Sequence, residues 1–323
     1  MKCLICNENK NVGFLDEYKL EILEDKKFFN DAKIYRCNDC DFAFVYPMPS
    51  DEKLNYFYEK VYRSNGRPPY LVSENYEDQK KHYLEDKNLS YLIYLTTLVD
   101  IKKIENIYDF GGGDGDLGYA LKKKFPGLKL FCTEHDSHCE RILKERGYNN
   151  LKDFDKINRK FDLIISTHSL EHITNVSKIF NKFKNLLNDE GFIFFEVPNC
   201  TKEYWSGRPY DSPHLSFYTK KSFDKLANIY GFKLINFSYS SYSFNKDHEF
   251  QRQSQKSYYD EKKFIISLGK LKKILKKIIP KKLISMRQDF LHLKNFRSDT
   301  KLNWFINNTG DNCYIRGVLK KTN

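Results

Sequence analysis

Short apolar runs alternate with segments of helical spacing through the middle of the chain. Strand-like runs are IENIYDF at 104–110, LKLFCTE at 128–134, FDLIIST at 161–167 and GFIFFEVPN at 191–199. Between them, LGYALKKKF (117–125) and VSKIFNKFKNLLNDEG (176–191) place apolar residues three and four apart, the helical period. Helical spacing over 76–100 (Tyr83, Leu84, Leu92, Ile93, Leu95) precedes the first of these strands. A helix near 220–230 and a strand in FKLINFSY (232–239) follow, and NTGDNCYIRGVLKK at the end predicts a turn and a strand. Such alternation predicts an α/β fold, a mostly parallel sheet with crossover helices on its faces. The N-terminal stretch differs: VGFLDEYKLEIL and FFNDAKIYR carry strand-like residues that suit a hairpin. Composition changes divide the chain into 1–50, a connecting segment 51–100, a core 101–244, a basic insertion 245–308 and a final strand within 309–323.

Composition narrows the classes. With 323 residues, 40% hydrophobic and 16% aromatic, the chain has enough apolar surface for a globular core. MKCLICNENK lacks the apolar stretch of a secretory signal, and LSYLIYLTTLV (89–99) is too short to cross a bilayer. A soluble, cytoplasmic protein is expected. Its net charge of +12 invites an anionic partner. The excess is concentrated: from Lys262 to Arg287 there is no acid, while Phe264, Leu268, Leu271, Leu275 and Ile278 form an apolar stripe broken by Pro280. That basic amphipathic segment reads as a solvated face packed on the domain or as a contact with the anionic inner face of a membrane, with nucleic acid the less favoured partner.

The densest chemistry lies in DFGGGDGDLG (109–118), where a strand ends in Asp109 and glycines open into a helix. Glycines let the chain turn sharply and bring bare backbone against a ligand. Two registers coexist. Gly111-x-Gly113-x-Gly115 resembles motif I of class I S-adenosylmethionine-dependent methyltransferases, and Gly113-x-Gly115-x-x-Gly118 fits the dinucleotide fingerprint. Charge separates them: a dinucleotide lays a pyrophosphate dianion on this loop, yet Asp109, Asp114 and Asp116 surround it. S-adenosylmethionine carries a sulfonium and an ammonium, and acids suit it. In the methyltransferase frame Glu134, ending the second strand, accepts hydrogen bonds from the ribose hydroxyls, Asp153 and Phe154 stand where the family contacts adenine, and Thr167 ends the strand beside the loop.

That strand continues into Thr167, His168, Ser169, Glu171 and His172, polar groups at the carboxyl end of the sheet, where open α/β sheets bind ligands. YWSGRPYDSPHLSFYT (204–219) adds Tyr210, Asp211 and His214 in a long loop. Cys3-x-x-Cys6 and Cys37-x-x-Cys40 supply four thiolates, enough to close a tetrahedral structural zinc site with no open position. The remaining cysteines, Cys132, Cys139, Cys200 and Cys313, read as small apolar residues.

Together YRCNDCDFAFVYPMP, DFGGGDG, SLEHI and PHLSFYTKKSF resemble a bacterial family that joins an N-terminal zinc-binding segment to a class I methyltransferase domain, over roughly residues 1–240. The resemblance implies a Rossmann-like, seven-stranded sheet whose last two strands form an antiparallel hairpin, here interrupted by the basic insertion. Better-understood relatives are sugar C-methyltransferases acting on nucleotide-linked keto-sugars, in which a histidine in a motif like EHLSYY serves as base. His214 matches that histidine, while Pro213 stands where the family has glutamate. The implied acceptor is a sugar or glycan precursor of a surface polysaccharide, with His168, His172 and Tyr210 orienting it and Tyr58 and Tyr62 covering the site. An RNA methyltransferase is the second reading, although STHSLEH stands where an Asn/Asp-Pro-Pro-Tyr/Phe signature would fall. A zinc-ribbon adaptor with a degenerate core is the third. Oligomeric state is not legible.

Overall fold

The computed structural model describes residues 1–20, 23–61, 88, 90–201, 213–240 and 314–322. Apart from Ser240, these fall in one compact unit made of Met1–Tyr239 and Tyr314–Asn323. The basic segment 262–287, Tyr62, Tyr210 and Cys313 lie outside the described residues.

The N-terminal hairpin forms as the sequence suggests: β1 (Val12–Glu17) pairs antiparallel with β2 (Lys33–Cys37), with the short α1 (Leu23–Phe28) between them. AFVY adds β3 (Ala43–Tyr46), a strand that the sequence pattern does not single out, and α2 (Asp51–Tyr56) follows behind a Ser50 cap. The central sheet contains β4 (Asn106–Phe110), β5 (Lys129–Thr133), β6 (Tyr148–Asn150), β7 (Phe161–Thr167), β8 (Leu187–Pro198), β10 (Phe232–Ser240) and β11 (Tyr314–Lys321). Its order is β10-β11-β8-β7-β4-β5-β6. Neighbours from β6 to β8 pair in parallel, and β11 enters between β10 and β8, antiparallel to β8. The chain thus has the Rossmann-like, doubly wound arrangement, with strand order reversing between β4 and β7. At such a reversal the crossovers leave on opposite faces and open a binding crevice at the strand ends.

Local sequence explains each helix that covers the sheet. In α6 (Val176–Leu186), Val176, Ile179, Phe180, Phe183 and Leu186 fall on one buried face, and the Asn175 side chain caps the first turn by accepting from the Lys178 amide. The sequence pattern carries this helix to Gly191, but it ends five residues earlier. Leu187 turns extended and buries itself opposite Phe161, and Asn188, Asp189 and Glu190 bulge before pairing resumes at Phe192. Short polar residues favour that turn over another helical turn. α7 (Lys220–Tyr230) opens on a Thr219–Ser222 capping box and stops at Gly231, whose φ of 71° suits glycine.

Two apolar layers sandwich the sheet. One holds Leu95 from α3 (residues 90–98), Leu117 and Leu121 from α4 (Asp116–Lys124), and Leu143 from α5 (Glu140–Glu145). The other holds Phe180, Phe183, Phe223 and Leu226 and runs on without a break into Cys3, Ile5, Phe42 and Phe44 of the N-terminal module. A fully buried side chain of this size contributes about 1.5–3 kcal/mol. The join is also a backbone one: Ser216–Phe217 forms β9, the fourth strand of the N-terminal sheet, pairing Ala43 with Phe217 and Phe44 with Ser216. Arg36 donates to the Cys200 carbonyl at 2.7 Å across the same seam.

A buried ion pair lies deep in the core. Arg316 of β11 is fully buried and bonds Glu196 of β8 through Nε at 2.8 Å, with Ser90 Oγ 2.8 Å from its Nη1. Its guanidinium also lies over the rings of Tyr91 and Tyr94. Replacing Arg316 with Leu strands a buried carboxylate, an imbalance that typically costs about 3–5 kcal/mol. Urea unfolding of Arg316→Leu is expected to show that loss; a cost under about 1 kcal/mol would mean that Glu196 is already neutral.

Candidate active site and cysteine cluster

Alternate glycines shape the loop after β4. Gly111, Gly113 and Gly115 have φ of 66°, 51° and 71°. A Cβ on Gly113 meets nothing within 4 Å, so its backbone faces open space, whereas one on Gly111 runs into Ser169 and one on Gly115 or Gly118 into Tyr148. Gly113 therefore answers to backbone conformation, Gly111 and Gly115 to conformation and packing, and Gly118 to packing. Both sequence registers have a physical cause, and Gly113, common to both, turns bare backbone toward open space.

Acids crowd the loop from below. The Tyr148 hydroxyl donates toward Asp109 Oδ2 and the Gly115 carbonyl, 3.0 Å from each. Burial pushes the Asp109 carboxyl up to about 7, offset in part by the Tyr148 bond, and nearby Glu134 and Asp116 push it the same way. Burial and Asp116 raise Asp114 to about 6. Asp116 and the Asp114 carbonyl both meet Arg146 Nη1 at 2.5 Å. The N-terminus of α4, elsewhere an anion site, thus already carries its own carboxylates, an arrangement hostile to a pyrophosphate.

Glu134 stands just past β5 and half-buried, and its Oε2 accepts from the Gly113 amide at 2.7 Å. Its Oε1 accepts from Asp136 N–H at 2.8 Å, and Asn150 clasps its backbone through both amide atoms. The carboxylate is therefore held at the tip of the loop. Phe154 packs edge-on against Phe110 and Phe183 near the same end, while Asp153 is exposed and accepts from the amides of Asp155 and Lys156. Thr167 ends β7 half-buried.

Beyond Thr167 the chain doubles back through His168, at φ 55°, into a 3-10 turn, Leu170–His172. Ser169 Oγ donates to the Gly111 carbonyl at 3.1 Å, so this turn touches the glycine loop directly. His168 lies between two buried carboxylates, with Nδ1 3.5 Å from Glu171 and Nε2 3.3 Å from Glu196. Glu171 is 1% exposed, and neither of its carboxylate oxygens has a hydrogen-bond partner. Burial alone would push its carboxyl up, but the surrounding His168, His172 and His214 outweigh it and draw it below the ordinary glutamate value.

The second histidine-bearing segment closes on the first. The Leu215 amide donates to the Glu171 carbonyl at 2.7 Å, Tyr18 donates its hydroxyl to the His214 carbonyl at 2.7 Å, and the His214 ring sits edge-on to His172 at 5.0 Å. Burial and the neighbouring His172 push His214 down to about 3, so its imidazole is neutral. His172 Nδ1 lies 2.9 Å from the Tyr58 hydroxyl and 3.3 Å from the Pro213 carbonyl. Glu171, His172 and His214 each bring a ligand atom within 4.8 Å of the others. Sequence reasoning brings together His168, His172, His214 and Tyr58 but misses Tyr148, Glu196 and Arg316. For the last two a signal exists, a single charge inside an apolar strand, GFIFFEVPN and YIRGV.

The four N-terminal cysteines also converge. Cys3 and Cys40 sulfurs are 3.5 Å apart, Cys6 and Cys37 3.6 Å, Cys6 and Cys40 3.8 Å, and all four lie within 4.8 Å. A disulfide needs about 2.05 Å. Four thiolates around a zinc ion at about 2.3 Å stand roughly 3.8 Å apart, which these distances fit. Both knuckles fold alike: Asn7 and Asp41, each following the second cysteine, have φ of 59° and donate to the carbonyls of Cys3 and Cys37. The hydrogen bond with Cys40 lowers Cys3 to about 5, while Cys40 is pushed up.

Residues 81–236 match a family model described as a methyltransferase domain. Similar solved structures include the O-methyltransferase of a trans-AT PKS multienzyme of Brevibacillus brevis with S-adenosyl-L-homocysteine (15% identity, 79% of this chain and 83% of that chain, TM-score 0.42). Others are coclaurine N-methyltransferase bound to N-methylheliamine and SAH (14%, 79% and 75%, 0.45) and a plantazolicin methyltransferase bound to a triazolic desmethyl analog and SAH (14%, 84% and 95%, 0.45). No curated protein matches the sequence. The match over residues 81–236 spans just under half of the chain, and over it the sequence is that of a methyltransferase domain. Among the described residues no helix is long and apolar enough to cross a membrane.

The raised Asp109 carboxyl has a measurable consequence. Its folded value near 7 exceeds the unfolded value near 3.8, so the fold favours the protonated acid. Stability from this group is present below about pH 4 and is lost as pH rises toward 7. Relative to Asp109→Asn, the parent should lose between about 1 and 4 kcal/mol of unfolding free energy from pH 4 to 8, because each tenfold gain in proton affinity on folding is worth about 1.36 kcal/mol. A difference that stays flat across that range would show the acid ionised throughout.

Proposed function

We propose that the enzyme moves the methyl group of S-adenosylmethionine to a hydroxyl or acidic C–H of a sugar or glycan precursor of a bacterial surface polysaccharide. The observation that carries this reading is the Ser169–Gly111 hydrogen bond, which sets the histidine turn beside the donor loop. Gly111, Gly113 and Gly115 present backbone to the donor, Glu134 meets its ribose, Asp109 shapes the loop, and Phe154, Asp153 and Thr167 flank the adenine end. The methyl leaves sulfur with its bonding electrons remaining there and joins the acceptor's oxygen or carbon, and the acceptor's proton passes to the cluster of His168, His172 and His214. Most of the acceleration comes from alignment of the two reactants, with proton removal adding to it. His214, half-buried and neutral, is the candidate base in this reading. The sugar acceptor rests on the likeness of PHLSFYTKKSF to sugar methyltransferases. Tyr210 belongs to the same proposal, and so does contact of segment 262–287 with an anionic membrane face.

Cys3, Cys6, Cys37 and Cys40 hold a structural zinc in this reading. Its place is the apolar layer that also holds Phe42, Phe44 and Tyr218, so its loss loosens the segment that carries His214. Cys37→Ser is expected to lower thiolate-bound metal from about one equivalent to well below one and to lower Tm. Equal metal content in parent and variant would remove zinc from this site.

Calorimetric titration tests the donor. S-adenosylhomocysteine should bind the parent protein, NAD should give no heat, and Glu134→Ala should weaken the first roughly tenfold or more through loss of a charge-assisted bond. Binding of NAD without S-adenosylhomocysteine would overturn the donor assignment.

A further inference from the structure

We propose that Glu171, His172 and His214 form a second metal site, distinct from the cysteine cluster, that takes a first-row divalent cation and presents it to an oxygen atom of the acceptor. The role at the acceptor rests on the methyl-transfer reading above, whereas the site itself rests on the geometry.

The first ground is the buried carboxylate of Glu171, beside which stand imidazoles and, among the described residues, no guanidinium. Its carboxylate is 1% exposed with both oxygens lacking a hydrogen-bond partner. An ionised group so placed costs several kcal/mol unless a counter-charge stands beside it. Glu196, one imidazole away, shows the satisfied alternative: Arg316 bonds it at 2.8 Å and Tyr91 donates its hydroxyl to it. His168 reaches toward both acids, at 3.5 and 3.3 Å, and a neutral ring has one N–H to give. Glu171 is thus left with imidazoles where Glu196 has a guanidinium.

The second ground is the donor set. One carboxylate and two imidazoles, with ligand atoms within 4.8 Å of one another, form the set that binds zinc, iron, manganese or cobalt. Two ring nitrogens argue against magnesium or calcium, which prefer oxygen. Three protein ligands leave positions open, and the Ser169–Gly111 bond joins the turn that carries Glu171 and His172 to the donor loop. With His214 on the cation, an acceptor hydroxyl bound at such a position would release its proton more readily to the neighbouring His168, and the methyl would join that oxygen.

The third ground is support around the ligands. His172 Nδ1 has the Tyr58 hydroxyl and the Pro213 carbonyl beside it, which hold the ring in place as outer partners do at metal centres. The backbone bond from Leu215 to Glu171 and the Tyr18 bond at His214 fix the spacing of the two segments.

Cobalt(II) tests the proposal in the full-length protein. After dialysis against a mild chelator that leaves the thiolate metal in place, Co2+ is titrated by calorimetry and visible absorption. The parent should bind about one further equivalent with the weak d–d bands of nitrogen and oxygen ligation and no strong sulfur charge-transfer band. Glu171→Gln and His214→Ala should each lower that affinity at least tenfold while still binding S-adenosylhomocysteine. Bands of thiolate type alone in the parent would overturn the proposal, and so would unchanged cobalt affinity in both variants; the parent spectrum decides even where a variant fails to fold. Loss of S-adenosylhomocysteine binding with cobalt retained would instead sink the methyl-donor reading.

Discussion

Everything at the carboxyl end of the sheet depends on burying Glu196 without leaving it uncompensated. A carboxylate at 0% exposure inside an apolar strand persists only with a cation against it, and Arg316 is that cation. Arg316 is carried by β11, which lies between β10 and β8, and Tyr91 and Ser90 from α3 bond the same pair, tying that helix to the sheet. His168 then meets Glu196 from the opposite side. The floor of the sheet's carboxyl end is thus a salt bridge, and the two elements it ties together, β8 and β11, are far apart in sequence.

That distance explains what the sequence disclosed and what it withheld. Periodicity placed β4, β5, β7, β8 and β10 because each is a run of apolar residues bounded by turns, a local property. The glycine loop was legible for the same reason: positive φ is demanded residue by residue, and Gly111, Gly113 and Gly115 all show it. Arg316 and Glu196 stood in view as lone charges within strands, but their partnership is a fact of strand order, which no local pattern encodes. Tyr148 gave no signal at all. Its role, filling the space that Gly118 leaves and bonding Asp109, exists only after α4 and β6 have packed. β9 is two residues long, too short to carry a period, and it forms because β3 offers an edge.

The N-terminal module owes its influence on the site to that small strand. PHLSFY is pinned at one end by backbone pairing to β3 and at the other by the Leu215 bond to Glu171. His214 lies beside that bond. The cysteine cluster therefore sits at one end of a short, stiff path, from Cys37 through β2 and β3 to β9, whose other end is His214. A ligand set that closes this module also sets how firmly the histidine is held, although no sulfur approaches the reacting groups among the described contacts.

The same electrostatic logic runs through both halves of the site. Around the donor loop, burial raises the cost of ionising Asp109 and Asp114, and the nearby Asp116 and Glu134 raise it further. A cationic ligand relieves that strain, while a dianion worsens it, so the loop favours a sulfonium donor over a dinucleotide on free-energy grounds. Around the acceptor end, Glu171 faces three imidazoles and no permanent cation among the described residues. Glu196 shows that this fold can supply an arginine where it needs a fixed charge. At Glu171 it supplies imidazoles instead, the ligand chemistry on which the proposed cation site rests.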